Sequence, residues 1–268
     1  MPDEYDLMVI GAHPDDCEMV GGIAARFRRM GRRVKFLCAT NGCSGHQREM
    51  GGAMAQRRWA EAQRVSELFG IEYEFLDNDD GFLQPGLPQR FAMLRAIRTF
   101  RPAAVITHRP NDYHPDHRST SVLVQDCSYL VQVPNICPNA PVLRYQPAIF
   151  YMPDSFMKPY PFQADLVFDI SDVFEDKMRM FHQHTSQMYE WLPWVEGVTS
   201  VPAGEEERFE WLKRTRGEIF AQWADRWRKE LAAKYGAAGG AARYAEALEV
   251  CEYGGRLAPE RLRELFPF

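Results

Sequence analysis

Short apolar runs separated by helical patterns set the limits on what this chain can fold into. Asp6–Gly11, Arg33–Cys38, Ile71–Leu76, Ala103–Thr107 and Ala148–Met152 read as strands, and Asp165–Ile170 as a further one. Helical patterns fall between them over residues 23–30, 53–69 and 88–100; Arg58 and Glu61 are placed on the exposed side of the second, with Gly70 as its C-cap. Apolar strands alternating with helices imply a parallel sheet covered on both faces. The expected fold is therefore α/β: a Rossmann-like, doubly wound, mostly parallel sheet with strand order 3-2-1-4-5. From Asp172 onward the pattern turns helical, over 174–188 and 205–235, with the Ala/Gly-rich residues 237–241 as a flexible joint. No repeat or low-complexity linker divides the chain. The reading is one domain over 1–268, with a core over about 1–190 and a mostly helical extension over about 191–268.

Composition excludes several classes. A formal net charge of -5 leaves no basic footprint for nucleic acid. No apolar run is long enough to span a membrane, and the acidic start runs into a strand without a signal-peptide pattern. Six cysteines with no CxxC pair read as reduced thiols of a cytoplasmic protein. The sequence leaves the oligomeric state open, a homo-oligomer included.

Chemistry concentrates in two clusters. His13-Pro14-Asp15-Asp16 follows the first strand, at the sheet edge where doubly wound proteins bind ligands. A dinucleotide site would place a glycine-rich phosphate loop there; this chain offers an imidazole and two carboxylates. One carboxylate can join the imidazole on a metal with an open position, while the other takes a proton from water. An Asp-capped polar turn would explain this cluster taken alone. His114-Pro115-Asp116-His117 follows the fourth strand, which neighbours the first in the expected order, so the clusters converge. One of His114 and His117 can bind metal while the other faces substrate, and Asp116 can hold a ring tautomer. A solvated helix start is the plainer account of the second cluster, but it does not explain both. His108 is a further candidate that reads as a packed loop residue.

At these residues the chain resembles the PIG-L / LmbE-like family of zinc-dependent N-acetylglucosaminyl deacetylases. The resemblance is carried by Gly11-Ala-His-Pro-Asp-Asp-Cys-Glu18 with Gly21-Gly22, and by His114-Pro-Asp-His-Arg118. It extends through Arg58–Ala62, Asp80-Gly81, Asp169–Ser171, Lys177, His184–Gln187 and Tyr244–Leu248. It implies His13, Asp16 and His117 as ligands of one Zn2+ per chain, a donor set that also takes iron, cobalt or manganese. It implies Asp15 as general base and a protonated His114, with Asp116 behind it, as oxyanion donor and acid. Arg58 and Asp80 match substrate-contacting positions, and Trp191 and Trp194 could cover a sugar ring or simply pack within the extension. Without the resemblance, Arg58 reads as a solvated helix residue and Asp80 as turn chemistry. The implied reaction is hydrolytic removal of an N-acetyl or other N-acyl group from an amino sugar or its conjugate. The rivals are an amidase for a non-sugar N-acyl metabolite and a metal-binding protein without turnover.

Overall fold

A computed structural model describes residues 5–268. The chain alternates β1 (Leu7–Gly11), α1 (Gly21–Arg29), β2 (Val34–Cys38), α2 (Gly51–Phe69), β3 (Glu72–Phe75), α3 (Leu87–Phe100), β4 (Ala104–Thr107), α4 (Pro115–Leu130), β5 (Ala148–Tyr151) and β6 (Leu166–Asp169). Then come α5 (Phe174–Gln183), a π-helical turn (Gln187–Trp191), α6 (Leu192–Val195), α7 (Glu205–Thr215), α8 (Glu218–Arg226), α9 (Arg228–Tyr235), α10 (Ala237–Gly240), β7 (Ala245–Val250) and α11 (Pro259–Leu265). The sheet has seven strands in the order β3-β2-β1-β4-β5-β7-β6. The pairs from β3 to β5 are parallel; β7 runs antiparallel to both β5 and β6.

Strand alternation divides the core. Leu7 and Val9 of β1 pack with Ile23 and Phe27 of α1, Val65 of α2 and Leu265 of α11. Met8 and Ile10 point to the other face, against Leu94 and Ile97 of α3 and Leu123 and Val124 of α4. Successive side chains of a strand face opposite ways, so a strand buried throughout its length needs helices on both sides. A third cluster, with Phe181, Leu212, Phe220 and Trp223, packs the C-terminal helices against Val167 of β6 and Ala247 of β7.

The C-terminal region departs from expectation in three ways. Residues 245–250 form a strand inside the sheet, although Ala-Glu-Ala-Leu-Glu has low strand propensity. Glu246 explains the choice: its carboxylate accepts from the Gly22 and Ile23 N–H groups, both at 2.8 Å, and from Lys177 Nζ at 2.7 Å. These are open donors at the start of α1, which only a β7 seated in the sheet can reach. The helix expected over 174–188 stops at Gln183, because His184 is drawn out by its Nε2 contact with Glu18 Oε1 at 2.8 Å. The helix expected over 205–235 is three helices, and the supposed joint at 237–241 is largely the short helix α10. At the first break, a Cβ on Gly217 would lie 2.2 Å from the Lys213 carbonyl oxygen and 2.6 Å from the Phe174 ring. Arg58 and Glu61 of α2 are buried rather than exposed, at 2 % and 1 %. Among the described residues, no helix is long and apolar enough to cross a membrane.

Candidate active site

β1 and β4 are neighbours, and the chain passes from one side of β1 to the other between them. Their C-terminal ends form the switch point of the sheet, and both His/Asp clusters meet there. Gly11 makes the first cluster possible: a Cβ at that position would lie 2.6 Å from the Asp16 Cβ. The Ala12 and His13 N–H groups donate to Asp16 Oδ2 at 3.0 and 2.7 Å, folding the carboxylate back over the strand end.

Three donor atoms form a nearly equilateral triangle. His13 Nδ1 lies 3.4 Å from Asp16 Oδ2 and 3.3 Å from His117 Nε2, and the last two are 3.5 Å apart. Donors held ~2.0–2.1 Å from a tetrahedral zinc are separated by roughly 3.3–3.4 Å, so this trio fits such an ion with its fourth position open. Other sets also lie within 4.8 Å, namely His13/His114/His117, Asp16/His108/His117 and His13/Asp80/Asp116. In the last set both carboxylates lie on His13 Nε2, the ring nitrogen turned away from the triangle. Asp116 accepts from the Gly81 N–H at 2.6 Å and the Leu83 N–H at 3.2 Å, and Asp80 accepts from the Ser44 N–H at 3.3 Å.

Those carboxylates act on the ring behind the triangle. Asp80 Oδ1 and Asp116 Oδ2 lie 3.1 and 3.3 Å from His13 Nε2, and Asp112 Oδ1 lies 3.1 Å from His117 Nδ1. A carboxylate on the far nitrogen is the usual support of a metal-binding imidazole. His108 stacks flat on His117, 4.0 Å between centroids at 11°, with its Nε2 3.2 Å from Asp16 Oδ2. Electrostatics agree with a cation site. Burial opposes a charge on His13, yet Asp116, Asp16 and Asp80 hold its pKa well above the ordinary value. Burial likewise opposes the Asp16 carboxylate, and His117 and His108 outweigh it, holding the group well below its usual range.

Asp15 stands apart from this set. Its backbone has φ 113°, a conformation that costs a non-glycine residue ~1–3 kcal/mol. Arg58 Nη2 donates to its Oδ1 at 2.6 Å. Burial raises its pKa to about 6, against the lowering effect of Arg58. A carboxylate poised near neutrality suits a general base. On the other side, the His114 ring meets the His13 ring edge-on at 4.5 Å. Its Nδ1 accepts from the Asp116 N–H at 3.2 Å, which leaves Nε2 to carry the ring proton. Burial, together with the charges of His13 and His117, lowers the His114 pKa and favours the neutral ring.

A model of the family described as PIG-L, GlcNAc-PI de-N-acetylase, matches residues 8–128. That segment holds both His/Asp clusters, so the chain is similar to the PIG-L family over the part that carries the site. It is 29% identical over 208 residues to the diacetylchitobiose deacetylase of Thermococcus kodakarensis, spanning 73% of this chain and 77% of that protein. The N,N'-diacetylchitobiose deacetylase of Pyrococcus horikoshii superposes with a TM-score of 0.71 at 21% identity, over 94% of this chain and 85% of that one. GalB, the 4-carboxy-2-hydroxymuconate hydratase of Pseudomonas putida KT2440, reaches 0.71 at 20% identity, over 95% and 98%. These superpositions establish the shared fold.

Within this site several expected roles change hands. Asp116 does not stand behind His114; its carboxylate is turned to His13, because the Gly81 and Leu83 N–H groups fix it there. Asp80, expected to meet substrate, is 6 % exposed and supports His13. Arg58, expected to meet sugar hydroxyls, is buried and holds Asp15. Trp191 and Trp194 stack on each other at 5.3 Å, and neither lines the cavities beside Asp16. Sequence reasoning passed over Asp112 and undervalued His108. The signal for Asp112 was an acidic residue two positions before His114; for His108 it was an imidazole directly after β4.

Proposed function

We propose that this protein is a metal-dependent N-deacylase that hydrolyses the amide of an N-acylated amino sugar or its conjugate. The observation that carries this is the triangle of His13, Asp16 and His117 with the unliganded carboxylate of Asp15 beside it. A metal site without turnover has no use for that strained, buried carboxylate. The two-His, one-Asp set favours zinc. A bound divalent ion would polarise the amide carbonyl and supply a nucleophilic water at neutral pH. Asp15, held by Arg58, takes the proton of the attacking water and passes it to the departing nitrogen. The neutral His114 ring, with Nδ1 tied to the Asp116 N–H, offers Nε2–H to the developing oxyanion. Asp80 and Asp116 fix His13, and Asp112 and His108 fix His117. The products are a carboxylate and a free amine.

The deacetylase relatives support an N-acylated amino sugar as the substrate class. The chain acts as one domain in this reading, since β7 from its last quarter completes the sheet that carries the site. Six free, buried cysteines support a reducing, cytoplasmic setting. Protein stripped of metal and reloaded with zinc would be assayed for amine release from N-acetylglucosamine, N,N'-diacetylchitobiose, N-acetyl amino acids and simple acetamides. Preference for an N-acyl amino acid over every sugar would remove the sugar and leave the amidase. No amine from any amide, with water added instead to an unsaturated acid, would move the protein to the chemistry for which GalB is named.

A further inference from the structure

Two cavities open from Asp16, share Met19 and Ile219 in their walls, and differ in the polar side chains they carry. One, of about 240 Å3, runs past His117, Asp112 and Tyr113 toward Asp154 and Phe156. Among apolar walls that include Met152, Phe156 and Trp223 it carries Asp112, Asp154, Ser155 and the 72%-exposed Tyr113, partners that suit a hydroxylated ring. The other, of about 280 Å3, runs past Asp15 between α5, the π-helical turn and α8. Its walls are Met19, Phe181, Met188, Leu192, Ile219 and Phe220. The one guanidinium at its mouth, Arg216, is clamped by Glu196 through two bonds of 2.5 and 2.9 Å, so it does not call for an anionic ligand.

An amide has two substituents, and this site has two exits. The carbonyl carbon must sit where the exits join, beside Asp16 and within reach of Asp15. The polar amine part and the acyl part must then leave by different ways. We propose that the apolar cavity is the acyl subsite and that it takes acyl groups of about four to eight carbons, larger than acetyl. This rests on the amide-hydrolase reading above. An apolar cavity of ~150 Å3 holds a benzene ring, so an acetyl methyl would leave most of this one empty. Burying each further methylene is worth about fourfold in binding. Ile219, 39% exposed, presents apolar surface that such a chain would cover.

The test uses glucosamine N-acylated with acetyl, butyryl, hexanoyl or octanoyl groups and the zinc-loaded protein. The expected kcat/KM rises about fourfold per methylene from acetyl toward hexanoyl and then levels off. Calorimetric binding of acetate, butyrate and hexanoate should follow the same order without any turnover. Leu192→Trp fills the cavity and should lower the hexanoyl-to-acetyl ratio of kcat/KM at least tenfold. Thr215→Trp, at the exposed mouth, gives the same readout if the first variant does not fold. A kcat/KM that falls from acetyl to butyryl, with hexanoate binding no tighter than acetate, overturns the subsite and leaves the amidase intact. A chain-length preference unmoved by a folded filling variant overturns it as well. If no amide is cleaved but hexanoate still binds tighter than acetate, the hydrolase reading fails and the apolar subsite stands.

Discussion

Replacing Arg58 by methionine decides between two roles for that residue. The guanidinium lies 2.6 Å from Asp15 Oδ1, inside a site where both side chains are largely buried. Burial has already raised Asp15 to about 6, and Arg58 is the main influence pulling it down. An opposite charge at this range lowers a carboxyl by ~1–3 pKa units, so its removal raises Asp15 by that much. The sign follows directly: the base must be ionised, and a higher pKa moves the acidic limb of the kcat/KM profile to higher pH. For a rise of ~2 units from about 6, the ionised fraction at pH 7 drops from roughly nine-tenths to roughly one-tenth. Activity at pH 7 should fall ~10-fold and return above pH 9. A bound cation lowers both limbs together and preserves their separation. Loss of a buried partner costs ~3–5 kcal/mol when the remaining charge is stranded, so thermal melting must show the variant folded; protonation of Asp15 offsets part of that cost. The assay is a kcat/KM profile from pH 5 to pH 10 for both proteins. A raised KM with an unmoved acidic limb would refute this reasoning and return Arg58 to substrate hydroxyls.

Asp112→Asn should weaken metal binding about 10–100-fold, measured by competition with a chelating dye, because Asp112 faces His117 Nδ1 at 3.1 Å. Metal uptake at pH 7 should release a proton, since three carboxylates keep His13 charged against the effect of its burial; titration calorimetry in buffers of different ionisation heat checks this, and zero release would contradict it. His114→Ala should keep its metal and lower kcat by ~10²–10³-fold. Because burial and its charged neighbours hold the His114 pKa below the ordinary value, wild-type kcat should not decline between pH 7 and 8; a decline there that vanishes in the variant would restore the protonated acid. Lys177→Met strands Glu246 and frees the Glu18 and Met19 carbonyls, which Lys177 Nζ contacts at 2.9 and 2.6 Å. Its cost should be ~3–5 kcal/mol in urea unfolding, and a cost under ~1 kcal/mol would show the network to be dispensable.

The sequence by itself determined the strand order from β3 to β5 and the meeting of the two His/Asp clusters. Both rest on local signals: continuous apolar runs mark buried parallel strands, and a doubly wound sheet brings the ends of its first and fourth strands together. The helical breaks were less legible, since Gly217 and His184 interrupt good helix formers for reasons that lie in Phe174 and Glu18. β7 was hidden because Ala-Glu-Ala-Leu-Glu favours a helix until Glu246 finds Lys177 and the start of α1. Only the tertiary structure decided which carboxylate serves which partner. Asp116 is one residue from His117 and two from His114, yet it turns to His13, a hundred positions away. Asp80 makes the same choice, and Arg58 turns inward to Asp15. A side chain's direction is set by the donors and charges that the fold places around it. In this site those come from the loops after β1, β3 and β4 and from α2, and their mutual distances exist only once the sheet has formed.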